Sequence, residues 1–123
     1  RGKESDEDEK FVTMLAKQYN LPFFVTRFDT KQFAESGKIS IQEAARILRY
    51  QWFEEIRQTN NFDWIAVGHN KDDVAETFLF NLVRGTGTAG LTGIKPKTGK
   101  IIRPLLFAVR SKILTYGKEN NLQ

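Results

Sequence analysis

Trp64-Ile65-Ala66-Val67-Gly68-His69-Asn70-Lys71-Asp72-Asp73-Val74-Ala75-Glu76-Thr77 is the stretch on which the fold turns. Its first four residues form a short apolar run that reads as a buried strand. Gly68 ends the run, and the acids after Asn70 open a helix. A strand passing straight into a helix in this way is the junction where open α/β sheets place ligands. Further on, Arg84-Gly85-Thr86-Gly87-Thr88-Ala89-Gly90-Leu91 stops the helix, with Gly85 suited to cap its C-terminus.

Working outward, Ser5-Asp6-Glu7-Asp8 has the form of a capping box ahead of Phe11, Val12, Leu15 and Ala16, predicting a helix that ends near Tyr19-Asn20. Residues 22–28, rich in β-formers, predict a strand ending in Asp29-Thr30, and the next ten residues, with Gly37 and Lys38, a loop. Ser40-Ile41-Gln42-Glu43 is a second capping box. It opens a helix of about five turns with Ile41, Ala44, Ala45, Leu48, Trp52, Phe53 and Ile56 as its apolar stripe. Arg46, Arg49 and Tyr50 fall at or beyond the stripe's edge. Asn60 to Asp63 read as a turn, and Asp72 to Arg84 as a third helix with Val74, Phe78, Leu79 and Leu82 facing the core.

Downstream, Gly93 to Pro96, a Lys97-Thr98-Gly99 turn and Lys100 to Pro104 predict a hairpin; a last helix runs from Val109 or Ser111 toward Asn120. Helices alternating with strands predict the α/β class, a parallel Rossmann-like sheet in a single domain. Residues 1–92 would be its core and 93–123 a hairpin-and-helix extension. A start at Arg1 and a finish within a helical pattern read as cut ends, so a fragment of a longer chain is expected.

The chain has 123 residues, 40% hydrophobic and 12% aromatic, as expected for one globular domain. It has no cysteine, which removes disulfides, thiolate metal sites and cysteine nucleophiles. With no secretory signal and no long apolar run, a cytoplasmic location away from membranes is expected. The net charge of +4 is unevenly spread. Residues 1–10 carry five acids against three bases, whereas Thr77 to Lys118 hold no acid and eight bases: Arg84, Lys95, Lys97, Lys100, Arg103, Arg110, Lys112 and Lys118. A one-sign stretch of that length suits a polyanion, or else is a plain basic surface.

Asp73 and Glu76 are three residues apart and share one helix face. Together they can hold an ammonium group or accept a proton, although acids in a first turn also serve simply to complement the helix dipole. His69, the only histidine, sits at the strand tip within reach of a ligand. Arg46 and Arg49, one turn apart, can reach a phosphate. The two glycines after Arg84 are a weak phosphate-loop signal, and neither a Walker motif nor a dinucleotide fingerprint is present.

Six blocks in order carry a resemblance: residues 1–8, Phe28-Asp29-Thr30, Glu43-Ala44-Ala45-Arg46 with Arg49-Tyr50, Gly68 to Thr77, Arg84 to Leu91, and Ile102-Arg103-Pro104-Leu105-Leu106. Together they resemble the bacterial tRNA(Ile)-lysidine synthase family of PP-loop ATPases. The resemblance implies an enzyme that uses ATP to join free L-lysine to C2 of the wobble cytidine of the isoleucine tRNA with a CAU anticodon. ATP adenylates the cytidine carbonyl oxygen, and the lysine ε-amine then displaces AMP. It implies lysine binding and catalysis at Asp73 and Glu76, a catalytic Arg49, ATP contacts from Arg46, Arg49 and His69 with Mg²⁺ accompanying the nucleotide, and tRNA contacts from Arg84, Lys95, Lys97, Lys100 and Arg103. No resident metal site is expected, and a homodimer is an open option.

The family's Ser-Gly-Gly-x-Asp-Ser phosphate loop is not in these residues, so the 123 residues alone are expected to have no ligase activity. Related tRNA thiolation enzymes carry Cys-x-x-Cys where this chain has Ser40-Ile41-Gln42-Glu43, which disfavours sulfur transfer. The alternatives are a non-catalytic tRNA- or nucleotide-binding module, and a plain α/β domain with a basic surface.

Overall fold

Helix ends in this chain are written in asparagines. A computed structural model describes residues 3–85, 87 and 93–122. In it α1 (Lys3–Gln18), α2 (Thr30–Gly37), α3 (Ile41–Thr59) and α5 (Arg110–Glu119) are each followed by a left-handed residue. These are Asn20, Lys38, Asn61 and Asn121, with φ of 52°, 52°, 55° and 53°. After each of them the chain turns back with the same pair of bonds, as where Lys38 N–H donates to Glu35 O at 3.3 Å and Ile39 N–H to Ala34 O at 3.1 Å. Leu21 N–H donates to Ala16 O at 2.8 Å, Phe62 N–H to Arg57 O at 2.9 Å and Leu122 N–H to Gly117 O at 2.8 Å. Asparagine tolerates this conformation, so the expected ends near residues 20, 60 and 120 are observed.

The chain divides into two compact units, residues 1–48 and 49–123, with the boundary inside α3. In the first unit α1 begins at Lys3, which puts Ser5 within the helix instead of at its cap. Arg27 pairs with Glu9 at 2.9 Å and Asp6 at 4.0 Å. The strand expected at 22–28 does not form. A strand needs a neighbouring edge for its backbone. None of the described residues supplies one here.

Most of the loop expected in the ten residues after Thr30 is instead α2. Its signal was present in Asp29, whose side chain accepts the Gln32 N–H at 3.0 Å and caps the helix. Lys38, not Gly37, then takes the left-handed position. At the next turn Ser40 Oγ accepts the Glu43 N–H at 3.1 Å, so the second capping serine starts α3 as its pattern requires.

The second unit holds the rest of α3, β1 (Ile65–Ala66), α4 (Lys71–Val83), β2 (Lys97–Thr98), β3 (Ile101–Ile102) and α5. The sheet order is β1-β3-β2. Ile65 and Ala66 lie opposite Ile101 and Ile102 in a parallel pair, joined by Ile65 N–H to Lys100 O at 2.9 Å and Val67 N–H to Ile102 O at 3.0 Å. β2 runs antiparallel to β3, with Gly99 at φ 58° in the turn between them. The described sheet is therefore mixed, one parallel and one antiparallel pair, where a parallel sheet was expected. Lys97 and Thr98 are strand residues, and the turn falls on Gly99-Lys100.

At the end of α3, Arg57 donates through Nε and Nη2 to Glu54 at 2.8 and 2.7 Å, and through Nη1 to Phe62 O at 3.1 Å. The Arg57 hydrogen bonds hold the Glu54 carboxyl well below the usual range, at about 2. This pins the helix end to the turn that feeds β1.

Phe78, Leu79 and Leu82 of α4 were expected to face the core but stand 41%, 58% and 54% exposed. Val83 and Phe80 are exposed as well, so the apolar residues surround the helix instead of forming one stripe. Such a helix requires cover on every side, and the described residues do not provide it.

Candidate functional site

The junction between β1 and α4 is built around Asn70. Its side-chain Oδ1 accepts the N–H groups of Asp72 at 2.9 Å and Asp73 at 3.1 Å, while Asp73 Oδ2 accepts the Asn70 N–H at 2.7 Å. This reciprocal capping box satisfies first-turn donors of α4, and Asn70 is itself buried. Lys71 N–H donates to Ala108 O at 2.9 Å, anchoring the same turn to the segment before α5. Replacing Asn70 by alanine should destabilise the protein by about 1–2 kcal/mol. Urea denaturation of Asn70→Ala beside Asn70→Asp measures this, and an unchanged midpoint for the alanine variant would refute the cap's importance.

Beyond the strand end lies an open cleft of about 370 Å³, lined by Arg49, Tyr50, Phe53, Ala66, Val67, Gly68, His69 and Asp73. That size suits a small ligand. His69 Nδ1 is buried without a hydrogen-bond partner among the described residues, an orphaned polar atom at a ligand-sized cleft. Tyr50 and Phe53 pack edge to face with centroids 5.9 Å apart. Sequence reasoning put Tyr50 at the edge of the α3 stripe and Phe53 within it. Both line the cleft.

Asp73 has two tasks. Oδ2 belongs to the cap, so the helix-start reading of this acid holds, while Oδ1 lies 3.8 Å from Arg110 Nη2. Glu76, one turn on, places Oε1 4.0 Å from the same nitrogen. Asp72 Oδ2 accepts the backbone N–H of Arg110 at 2.6 Å. Three acids of α4 thus converge on one arginine, which the sequence reading had only counted within a basic stretch. The available signal was in α5 itself. Val109 offers no side-chain cap and the first turn carries Arg110 and Lys112, an arrangement that opposes the helix dipole unless acids arrive from elsewhere.

Of the other expected residues, Arg49 and His69 meet Asp73 at the cleft. Arg46 is exposed in the first unit. Arg84 is the C-cap of α4, with its guanidinium 5.2 Å from the Phe80 ring centre, and Gly85 follows in the left-handed conformation at φ 66°. Of the Arg84 to Leu91 block, Thr86, Thr88, Ala89, Gly90 and Leu91 lie outside the described residues. Arg103 donates through Nη1 to Lys95 O at 2.8 Å and Thr98 Oγ1 at 3.0 Å, so it fastens the hairpin. Lys97 and Lys100 place their ammonium groups 4.3 and 5.1 Å from the Trp64 ring centre, within cation–π range. Trp64 immediately precedes β1 and Lys100 precedes β3, so these two stand at the strand ends away from the cleft, while Lys97 lies in β2 opposite Ile102.

Among the described residues no three His, Cys, Asp or Glu side chains converge as a metal-binding group. No helix among the described residues is long and apolar enough to cross a membrane.

A capped acidic turn, an arginine and a ligand-sized cleft meet at one strand-to-helix junction, and the chain belongs to the PP-loop domain family, whose model matches residues 2–123. It is similar to the tRNA(Ile)-lysidine synthase of Bacteroides thetaiotaomicron, 50% identical over 116 residues that make up 94% of this chain and 27% of that protein. The tRNA(Ile)-lysidine synthase of Thermosipho africanus is 47% identical over 120 residues, 98% of this chain and 28% of its own length. That of Chlorobaculum tepidum is 46% identical over 122 residues, 99% and 37%. The chain thus spans well under half of the length of these relatives.

Proposed function

We propose that the full-length protein bearing this chain is a tRNA(Ile)-lysidine synthase, a cytoplasmic ligase that joins L-lysine to C2 of cytidine 34 in the isoleucine tRNA with a CAU anticodon. The observation that carries this reading is the convergence of Asp73 Oδ1 and Glu76 Oε1 on a single cationic nitrogen, beside a cleft that also holds Arg49 and His69. Two carboxylates that together accept one cation are what a lysine ε-ammonium needs. The similarity to lysidine synthases over nearly the whole chain supports the same assignment.

In the first step the cytidine O2 attacks the α-phosphorus of ATP and diphosphate leaves. Arg49 faces the charge that develops on the phosphoryl oxygens, and His69, with its unpartnered Nδ1, contacts the nucleotide. Arg46 is assigned to ATP on the resemblance alone. In the second step the lysine amine attacks C2 and AMP leaves with the oxygen. Free lysine has a pKa near 10.4, so it arrives charged and must lose a proton before it attacks. The Ser-Gly-Gly-x-Asp-Ser loop that would cradle the phosphates is not part of these 123 residues, and the reaction is assigned to the full-length protein.

The test is incorporation of labelled lysine into tRNA by that protein. ATP-dependent labelling of CAU-anticodon isoleucine tRNA, and none of a methionine tRNA, is expected; tRNA binding without any incorporation would overturn the ligase reading in favour of a binding module.

The tRNA contacts are assigned to Arg84, Lys95, Lys97, Lys100 and Arg103. Lys97 and Lys100 have the clearest case, since Trp64 holds their ammonium groups at the surface. Replacing both by alanine should lower the slope of log affinity for tRNA against log salt by about one to two. An unaltered slope in filter binding at several salt concentrations would remove them from the interface.

A further inference from the structure

The atom on which Asp73 and Glu76 converge belongs to the protein itself. Arg110 Nη2 lies 3.8 Å from Asp73 Oδ1 and 4.0 Å from Glu76 Oε1, too far for hydrogen bonds but within ion-pair range. Its side chain is 56% exposed, so the guanidinium is held by charge and can move aside. The backbone is held separately, because Asp72 accepts the Arg110 N–H at the first position of α5. A helix beginning with Arg110 and Lys112 and without its own side-chain cap runs against its dipole. Arg110 is in place because the α4 carboxylates are.

This cation has a chemical consequence for an amine site. Two carboxylates alone would stabilise an ammonium ion, the form that cannot attack. A guanidinium does not lose its proton near neutrality, so it contributes a fixed positive charge. Beside the acid pair it reduces a charge of −2 to −1, and an ammonium arriving there meets a like charge. Both effects favour the neutral amine.

We propose that Arg110 is a positioning residue for the amine nucleophile, pairing with Asp73 and Glu76 so that lysine is admitted as a cation yet is released to its neutral form for attack. This rests on assigning Asp73 and Glu76 to lysine. On entry the ε-ammonium takes the place between the acids and displaces the guanidinium without expelling it. The ammonium then gives one proton to a Glu76 oxygen, and the freed electron pair forms the N–C2 bond. The C2–O bond breaks with its electron pair leaving on the oxygen of AMP. The charged groups around this event are Asp72, Asp73 and Glu76 of α4, Arg110 of α5, and Arg49 and His69 at the cleft that Asp73 lines. The His69 imidazole also lines this cleft, so its contribution is controlled for by substitution.

The experiment uses full-length protein carrying Arg110→Met, which removes the charge but keeps the backbone N–H that Asp72 caps. Steady-state lysine kinetics are followed from about pH 6 to about pH 9.5, with pyrophosphate release as a separate readout of adenylation. Arg110→Met should lower the KM for lysine, lower kcat about tenfold near neutral pH, and move the rising limb of the kcat profile about one pH unit upward. Adenylation should be unchanged. Arg110→Lys should restore most of the profile, and the shift should persist in a His69→Asn background.

A kcat profile for Arg110→Met parallel to that of the unaltered protein overturns the proposal. So does equal loss in the methionine and lysine variants, which would make the role structural. If Arg110→Met does not fold, Arg110→Gln against Arg110→Lys decides on the same criterion. Glu76→Gln in parallel separates the two levels: an unchanged KM for lysine refutes the lysine site itself, whereas a raised KM with an unmoved Arg110→Met profile refutes only the role of Arg110.

Discussion

Glu76→Gln in the full-length protein is expected to raise the KM for lysine by about 10- to 100-fold while changing that for ATP by less than about twofold. A hydrogen bond to a charged group contributes about 1.5–3 kcal/mol, and each 1.4 kcal/mol is a factor of ten. Glutamine keeps the shape and loses the charge. Glu76 is well suited to the test because its side chain is 68% exposed and takes no part in the α4 cap. Asp73→Asn would confuse two effects, since Asp73 Oδ2 accepts the Asn70 N–H in the cap while Oδ1 faces the site. An equal rise in the lysine and ATP requirements would defeat the lysine-pocket assignment.

What could be read from the sequence was mostly local. Asn20, Asn61 and Asn121 stop three helices because asparagine accepts the left-handed conformation, and residues 40–43 start α3 through a side-chain bond spanning three positions. The hairpin was legible from Gly99, which supplies the positive φ its turn requires. Residues 22–28 failed for the complementary reason. Their composition favours a strand, but strand formation depends on a partner that local sequence does not contain. α2 differs in kind, because its start is local: Asp29 caps it through the Gln32 N–H, a signal that the nearby Gly37 and Lys38 obscure.

The site divides along the same line. Asp73, Glu76 and His69 were visible since they occupy a single strand-to-helix turn, whereas the cap made by Asn70 between them was not expected. Arg110 was not, because its link to Asp72 spans 38 positions and exists only once α4 and α5 are folded together. The uncapped start of α5 hinted that acids must come from elsewhere without saying which. The pairing of Lys97 and Lys100 over Trp64 is equally nonlocal: the antiparallel turn brings the lysines together, and parallel pairing of β3 with β1 brings them to the tryptophan.

Arg49→Ala is the second large effect, with adenylation expected to slow by about 100- to 1,000-fold, the usual cost of removing one donor aimed at developing charge. Arg49 is exposed on α3 and lines the cleft with Gly68, His69 and Asp73, so its guanidinium has room to meet a phosphoryl group. In the proposed adenylation, attack of O2 on the α-phosphorus would gather charge on the phosphoryl oxygens, and a planar fork of N–H donors can engage two of them at once. Lysine at this position presents a point charge without the fork, so Arg49→Lys should recover only part of the rate. Pyrophosphate release in a single turnover, measured before lysine is added, isolates this step. Normal release combined with lost lysine incorporation would move Arg49 from adenylation to the displacement of AMP, where the departing phosphate makes the same demand for a donor one step later.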